Sequence, residues 1–299
     1  MHKDWRVVAE LGLGALRIRG ADALSFLQGQ LSNDTTRLQS GRLQLTGYHT
    51  PQGRTIAVLH LTKLADESVL ALLPGELAAT VLKRLQRYVL RAKVRLSDDS
   101  GHWRILGYQG AAPAVPDGAL CLPFGRARHL VLLPAAPADS SPAGSQVAPE
   151  PEAIAGSRPD WIAGNVAEGL PEVYAVTSEA FVAQMLNLDV TGGIAFDKGC
   201  YTGQEIIARA HYRGQVKRRM LRFMSQAPCR LRPGDAGVLA DGRALRVVEA
   251  VEHAGGQCEF LAVTAPASDT ASEVQTGAPG PMPIAAQQLP LPYELPAQG

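Results

Sequence analysis

The run Lys198-Gly199-Cys200-Tyr201-Thr202-Gly203-Gln204-Glu205, continued by Ile206-Ile207-Ala208-Arg209, is where this 299-residue chain gathers its reactive residue types. Two glycines bracket Cys200-Tyr201-Thr202. Glycine permits turns with positive φ and lets a ligand or another segment approach the main chain closely. The single thiol between them has Lys198 two residues upstream, and a nearby ammonium favours thiolate, the nucleophilic form of cysteine. Gln204 offers an amide that can read the edge of a heterocycle, and Glu205 a carboxylate that can accept its N–H groups. A plainer reading stands beside this one. Free cysteine is among the most buried residue types, and Lys198 with Glu205 can be a simple surface pair.

Upstream, Gln184 to Asp189 leads through Gly192-Gly193-Ile194 and Asp197 into this centre. Downstream lie Arg209, His211, Arg213, Lys217, Arg218, Arg219 and Arg222. Such a run is ordinarily a solvated strand and turn. Its functional reading is a rim that binds carboxylates or phosphates. RNA backbone would suit it too, but no interleaved aromatic platform or RNA-binding module is legible, so direct RNA binding ranks below.

The first hundred residues alternate strand and helix patterns. Asp22 is a candidate N-cap for a helix with Leu24, Leu27 and Leu31 on one face. Arg42 to Tyr48 and Arg54 to Leu61 flank Thr50-Pro51-Gln52-Gly53 and predict a sharply turned strand pair. Val69 to Leu73 predicts a strand. Pro74-Gly75-Glu76 then opens a helix carrying Leu77, Val81, Leu85 and Tyr88. Val94 to Leu96, Ile105 to Tyr108 and His129 to Leu133 predict further strands. The expected organisation is an N-terminal α+β part over 1–133, a flexible loop at 134–158, a second part over 159–220 and a C-terminal antiparallel β-barrel over 221–299. Asp241-Gly242 between apolar runs marks a hairpin in that barrel. The tail Leu289-Pro290-Leu291-Pro292-Tyr293 is expected to close or cap it, and 266–280 to form a loop.

Composition is ordinary, with 46% hydrophobic and 19% charged residues and a net charge of +1. No global field therefore points to nucleic acid or membrane. Met-His-Lys-Asp-Trp-Arg lacks the apolar core of a secretory signal, and no stretch approaches the ~20 apolar residues of a membrane span. Cys121, Cys200, Cys229 and Cys258 are widely spaced, against a disulfide framework and against a self-contained metal or cluster site. The expectation is a soluble cytoplasmic protein without a resident metal.

The octapeptide with Ile206-Ile207-Ala208-Arg209 resembles the signature of the YgfZ-type folate-binding proteins, relatives of the glycine-cleavage T-protein (aminomethyltransferase). Gly20-Ala21-Asp22, Phe26-Leu27-Gln28-Gly29-Gln30, Asp34, Gln52-Gly53-Arg54, Tyr88 to Val94, Asn165 to Pro171, Thr177 to Asp189 and Leu289 to Tyr293 resemble further blocks of that family. The resemblance implies an α+β, T-protein-like three-domain ring around a central hole that holds tetrahydrofolate or a derivative. It implies a role in assembling or repairing iron–sulfur clusters of other enzymes, including those that thiomethylate tRNA. Iron–sulfur enzymes or their assembly machinery are then the partners.

Under that resemblance Cys200 and Lys198 are the reactive centre. Trp161, Tyr201, Gln204, Glu205 and Arg209 are the folate contacts, with Trp161 either stacking on the ligand or filling a domain junction. Two departures stand out. A second folate-associated tryptophan aligns near Leu13, so that contact is absent or replaced, Trp5 being the candidate. Where aminomethyltransferases carry an acidic pair, this chain has Ala57 and Val58, and an alkyl group cannot exchange a proton. A folate-dependent one-carbon transferase or demethylase is the alternative function.

Overall fold

The structure, a computed structural model, describes residues 6–8, 11–135, 154–214, 216–267 and 282–296. Strands β1 (Arg6–Val8) and β2 (Leu13–Arg19) precede helix α1 (Ala23–Gln30), then strands β3 (Gln44–His49), β4 (Thr55–Lys63) and β5 (Val69–Pro74). Helix α2 (Gly75–Gln86) is followed by β6 (Arg95–Asp98), β7 (Trp103–Gln109), β8 (Leu120–Phe124), β9 (Arg128–Pro134) and β10 (Ile154–Ala155). Helices α3 (Arg158–Glu168) and α4 (Gln204–Tyr212) come next. Strands β11 (Arg219–Ser225), β12 (Ala236–Leu239), β13 (Ala244–Glu252), β14 (Cys258–Thr264), β15 (Met282–Ile284) and β16 (Ala286–Leu289) complete the chain. The class is α+β, as expected.

Three sheets form, ordered β3-β4-β5-β2-β6, β10-β1-β7-β9-β8 and β15-β12-β13-β14-β11-β16. The chain gathers into two compact units, one of residues 1–30, 34–45 and 59–161, the other of 31–33, 46–58 and 162–299. In the first, α2 follows from its sequence: Leu77, Ala78, Val81 and Leu85 are buried at helical spacing. Glu76 in its first turn and Lys83 and Arg84 in its last complement the helix dipole. Tyr88 was expected on this helix, but it lies past the end and is 46% exposed. Asp22 stands directly before α1, its carbonyl accepting from the Phe26 N–H at 2.8 Å, while its carboxylate accepts from the Lys93 N–H at 2.6 Å. Of the expected loop, Ile154–Ala155 pairs with β1 and Arg158 opens α3, while 136–153 lies outside the described residues. Trp5 and 268–280 lie outside them too.

The Asp-Gly hairpin joins β12 to β13, with Gly242 at φ 85 and its N–H donating to Leu239 O at 2.9 Å. Here the fully antiparallel expectation is corrected, because β12 pairs in parallel with β15. Strands β15 and β16 occupy opposite edges of this sheet yet are linked through Ala285 alone. Two peptide steps span at most ~7 Å, so the sheet curls until its edges approach. Leu221, Phe223, Val247, Phe260 and Ala262 fill its core, and Leu291 and Leu295 of the tail pack against it. Among the described residues no helix is long and apolar enough to cross a membrane.

Candidate functional site

The signature loop is built on three residues from far upstream, Leu31, Ser32 and Asn33. Ser32 is fully buried and bonds in two directions. Its Oγ donates to Gly193 O at 2.7 Å and accepts from the Gly47 N–H at 2.9 Å, while its carbonyl accepts from the Ala195 N–H at 3.0 Å. Asn33 Nδ2 donates to Gly192 O at 2.7 Å. On this base Lys198 Nζ donates to Leu31 O at 2.6 Å and Asn33 O at 2.9 Å, and stands 4.9 Å from the Tyr201 ring centroid. Charge-assisted bonds of this kind contribute roughly 1.5–3 kcal/mol each, and the ammonium–ring contact about 0.5–1 kcal/mol. Lys198 is thus an anchor that holds the loop on which Cys200 is exposed.

The other end of the loop is fixed by shape. Gly203 has φ 83 and precedes α4; a Cβ there would lie 2.5 Å from Thr50 O. Gly53, at φ 72 in the Gln52-Gly53-Arg54 turn, faces Ile206, which a Cβ would meet at 3.0 Å. Arg54 Nη1 donates to the Glu179 and Ala180 carbonyls at 3.3 and 3.2 Å, and Gln184 Nε2 to Ile207 O at 2.6 Å. Gly199 differs: its φ is not positive and a Cβ would meet nothing within 4 Å. The pair expected to serve as matching turn glycines therefore reduces to one.

Beneath the loop several polar atoms are buried without a partner among the described residues: the Tyr201 hydroxyl, Gln184 Oε1 and both His49 ring nitrogens. Burial raises the Tyr201 phenol and lowers His49 to about 3, so the imidazole is neutral at physiological pH. A Cβ on Gly47 would collide with His49 Nε2 and meet Ser32 Oγ at 3.2 Å, which places the imidazole beside the Ser32 hub. Sequence reading missed Ser32 and His49, since neither has a local signal.

Gln204 is half-buried at the start of α4, while Glu205, Ile206 and Arg209 are exposed along it. The basic run divides. Arg209, Arg213, Lys217 and Arg218 are exposed, and so is His211. Arg219 is buried in a bidentate pair with Asp189 at 2.9 Å, and Arg222 pairs with Glu259. These two hold structure and leave the expected rim. Phe196 stacks on His211 with centroids 3.8 Å apart, and Tyr212, 67% exposed, meets both edge-on. Folding thus adds Phe196 to His211 and Tyr212 beside the exposed basic residues.

Trp161 belongs to the other unit. Its ring lies against Gly107, where a Cβ would come within 2.5 Å, with Arg128 4.7 Å above it and Phe124 at 5.2 Å. Only 5% of it is exposed, and these contacts all lie within its own unit. Ala57 and Val58 are fully buried on β4.

The fold is that of the aminomethyltransferase class. The crystal structure of the glycine cleavage system aminomethyltransferase T from Bartonella henselae superposes with a TM-score of 0.69, covering 88% of this chain and 79% of that one, at 12% identity. No protein-family model matches the chain. The tRNA-modifying protein YgfZ of Hamiltonella defensa is 30% identical over 240 residues, 73% of this chain and 69% of that protein. Its Edwardsiella ictaluri counterpart is 32% identical over 220 residues, 68% and 66% of the two chains. An uncharacterised Haemophilus influenzae protein is 32% identical over 212 residues, 71% and 70% of the two. The chain belongs to the YgfZ family.

Proposed function

We propose that this protein binds a tetrahydrofolate and supports, through Cys200, the assembly or repair of iron–sulfur clusters in other enzymes, tRNA-thiomethylating ones among them. The observation that carries this reading is the exposed Cys200 on a loop pinned at both ends, by Lys198 to Leu31 and Asn33 and by Gly203 to the 50–53 turn. A thiol presented in this way is built to meet a partner, since a structural cysteine would be buried. Relatives named as tRNA-modifying proteins and a fold shared with an aminomethyltransferase support the same reading.

The residues fit a folate by the chemistry of their donor set. The unpartnered Tyr201 hydroxyl and the His49 imidazole supply polar groups without protein partners. Gln204 and Glu205 would read the edge of the pterin, and Arg209 would meet the carboxylates of the glutamate tail. Bound, the folate would supply a one-carbon carrier. This chain's own residues orient it and present the thiol, with Lys198 providing a fixed positive charge in the same loop. The curled C-terminal sheet is read here as the barrel of the fold, and the cytoplasm as the compartment. Ala57 and Val58 offer no group for proton exchange, which weighs against glycine-cleavage chemistry and against the one-carbon transferase alternative.

The test is a tetrahydrofolate titration followed by tryptophan fluorescence, paired with complementation by Cys200→Ser. Expected are saturable binding by both proteins and loss of iron–sulfur enzyme activity only with the variant. A variant that supports those enzymes as well as the parent would reduce the octapeptide to a structural or ligand-binding loop.

A second reading, direct contact with RNA, gains from the Phe196–His211–Tyr212 group beside exposed Arg209, Arg213, Lys217 and Arg218. Aromatic faces and cations together suit single-stranded bases and phosphates. A tRNA complex whose affinity falls steeply with salt would establish it.

A further inference from the structure

Cys229 and Cys258 are 29 positions apart in the chain, and the spacing gave no sign that they meet. The C-terminal sheet brings them together. Cys229 lies in the connection after β11, where its N–H donates to Gly256 O at 3.0 Å. Cys258 begins β14, where its N–H donates to Ser225 Oγ at 2.8 Å. These two bonds tie the backbone on either side of the pair, Ser225 to Cys258 and Cys229 to Gly256. Between them Cys258 Sγ donates to Cys229 O at 2.7 Å. Both thiols are free, Cys258 buried and Cys229 half-buried against the same core.

We propose that Cys229 and Cys258 are a redox modification site, forming a reversible disulfide when the protein meets a peroxide. The Cys258 thiol already touches Cys229 at its carbonyl and at its thiol, and a disulfide closes where two such sulfurs turn to face each other at bonding distance. Cys229, the more accessible thiol, reacts first. Its thiolate attacks hydrogen peroxide, forming a sulfenic acid and releasing hydroxide. The Cys258 thiol, as its thiolate, then attacks the sulfenic sulfur; the S–S bond forms and the hydroxyl group leaves as water. Sulfur loses two electrons and the peroxide gains them. A small-molecule dithiol restores both cysteines by exchange. Burial, together with the contact to Cys229, pushes the Cys258 thiol up to about 11, so closure quickens as pH rises. The bond would staple the connection after β11 to the start of β14, restricting the unfolded chain.

The experiment treats the full-length parent and a Cys200→Ser variant with graded hydrogen peroxide. Free thiols are then blocked by alkylation, and peptides are mapped by mass spectrometry without reduction. The expected result is a Cys229–Cys258 cross-linked peptide in both proteins. It should form faster at pH 9 than at pH 7, vanish with dithiothreitol, and accompany a melting temperature raised by several degrees, ~2–8 °C. The proposal is overturned if both cysteines remain alkylatable while Cys200 oxidises. It is equally overturned if they pass to sulfinic acids without cross-linking, or if Cys200 is the partner of either one. Because the cross-link is read in the parent, the folding of Cys229→Ser or Cys258→Ser does not enter. Folate binding and iron–sulfur activity do not enter either, so this result is independent of the function proposed above.

Discussion

At Gly203 the backbone is left-handed and a Cβ would press on Thr50 O, whereas at Gly199 it would enter open space. The two glycines look alike in the sequence and should respond differently to the same change. Gly203→Ala is expected to cost ~1–3 kcal/mol through backbone strain and collision, read as a lower urea midpoint with an unchanged slope. Gly199→Ala should stay within about 0.5 kcal/mol. The four cysteines invite a comparable contrast. Cys200 is exposed, burial raises the Cys121 thiol, and Cys258 is buried and raised further. Timed alkylation at neutral pH should therefore modify Cys200 first. If Cys121 or Cys258 leads, the loop does not present its thiol as described.

Helix α4 carries its meaning on one face. Ile207 is buried beneath it, and Glu205, Ile206, Arg209 and Tyr212 are exposed, with exposed Arg213 just past its end. If Arg209 and its neighbours meet a folate tail, polyglutamylated folate should bind more tightly than the monoglutamate. The margin should shrink as salt rises, since exposed charges are screened over ~10 Å at ordinary ionic strength. Arg209→Gln should narrow the same margin, measured by fluorescence titration at low salt; equal affinities in the parent would remove the rim. At this scale much was legible. The strands β4, β5, β7 and β9, helix α2 and the Asp241-Gly242 hairpin all follow from local pattern. Strand β8 was not read, because Pro123 interrupts Leu120-Cys121-Leu122-Pro123-Phe124. It forms at the edge of its sheet, where a missing N–H is tolerated.

The whole molecule should lose stability in mild acid for an identifiable reason. His49 and His60 are buried, and burial lowers them to about 3 and about 4, whereas the unfolded chain binds their protons near the ordinary value of 6.5. Folded pKa values below the unfolded ones mean that stability is present above pH 6.5 and drains away as pH falls toward 4. Between pH 7 and pH 5 each histidine should cost ~2 kcal/mol by proton linkage. Urea melts across that range should show the loss, and His49→Gln should recover about half of it, provided it folds. A flat profile would mean that water or a ligand reaches the rings.

The sequence by itself determined the class of the fold, the position of the signature loop and the identity of its thiol, because periodicity, turn residues and an uninterrupted motif are properties of adjacent residues. The tertiary structure decided what each of those residues does. Lys198 is held by carbonyls 167 and 165 positions away, Arg219 and Arg222 are spent on Asp189 and Glu259, and Phe196 joins the aromatic group on α4. Cys229 meets Cys258 across a sheet. Partners so distant leave no local pattern, since their meeting depends on how whole strands pair and pack.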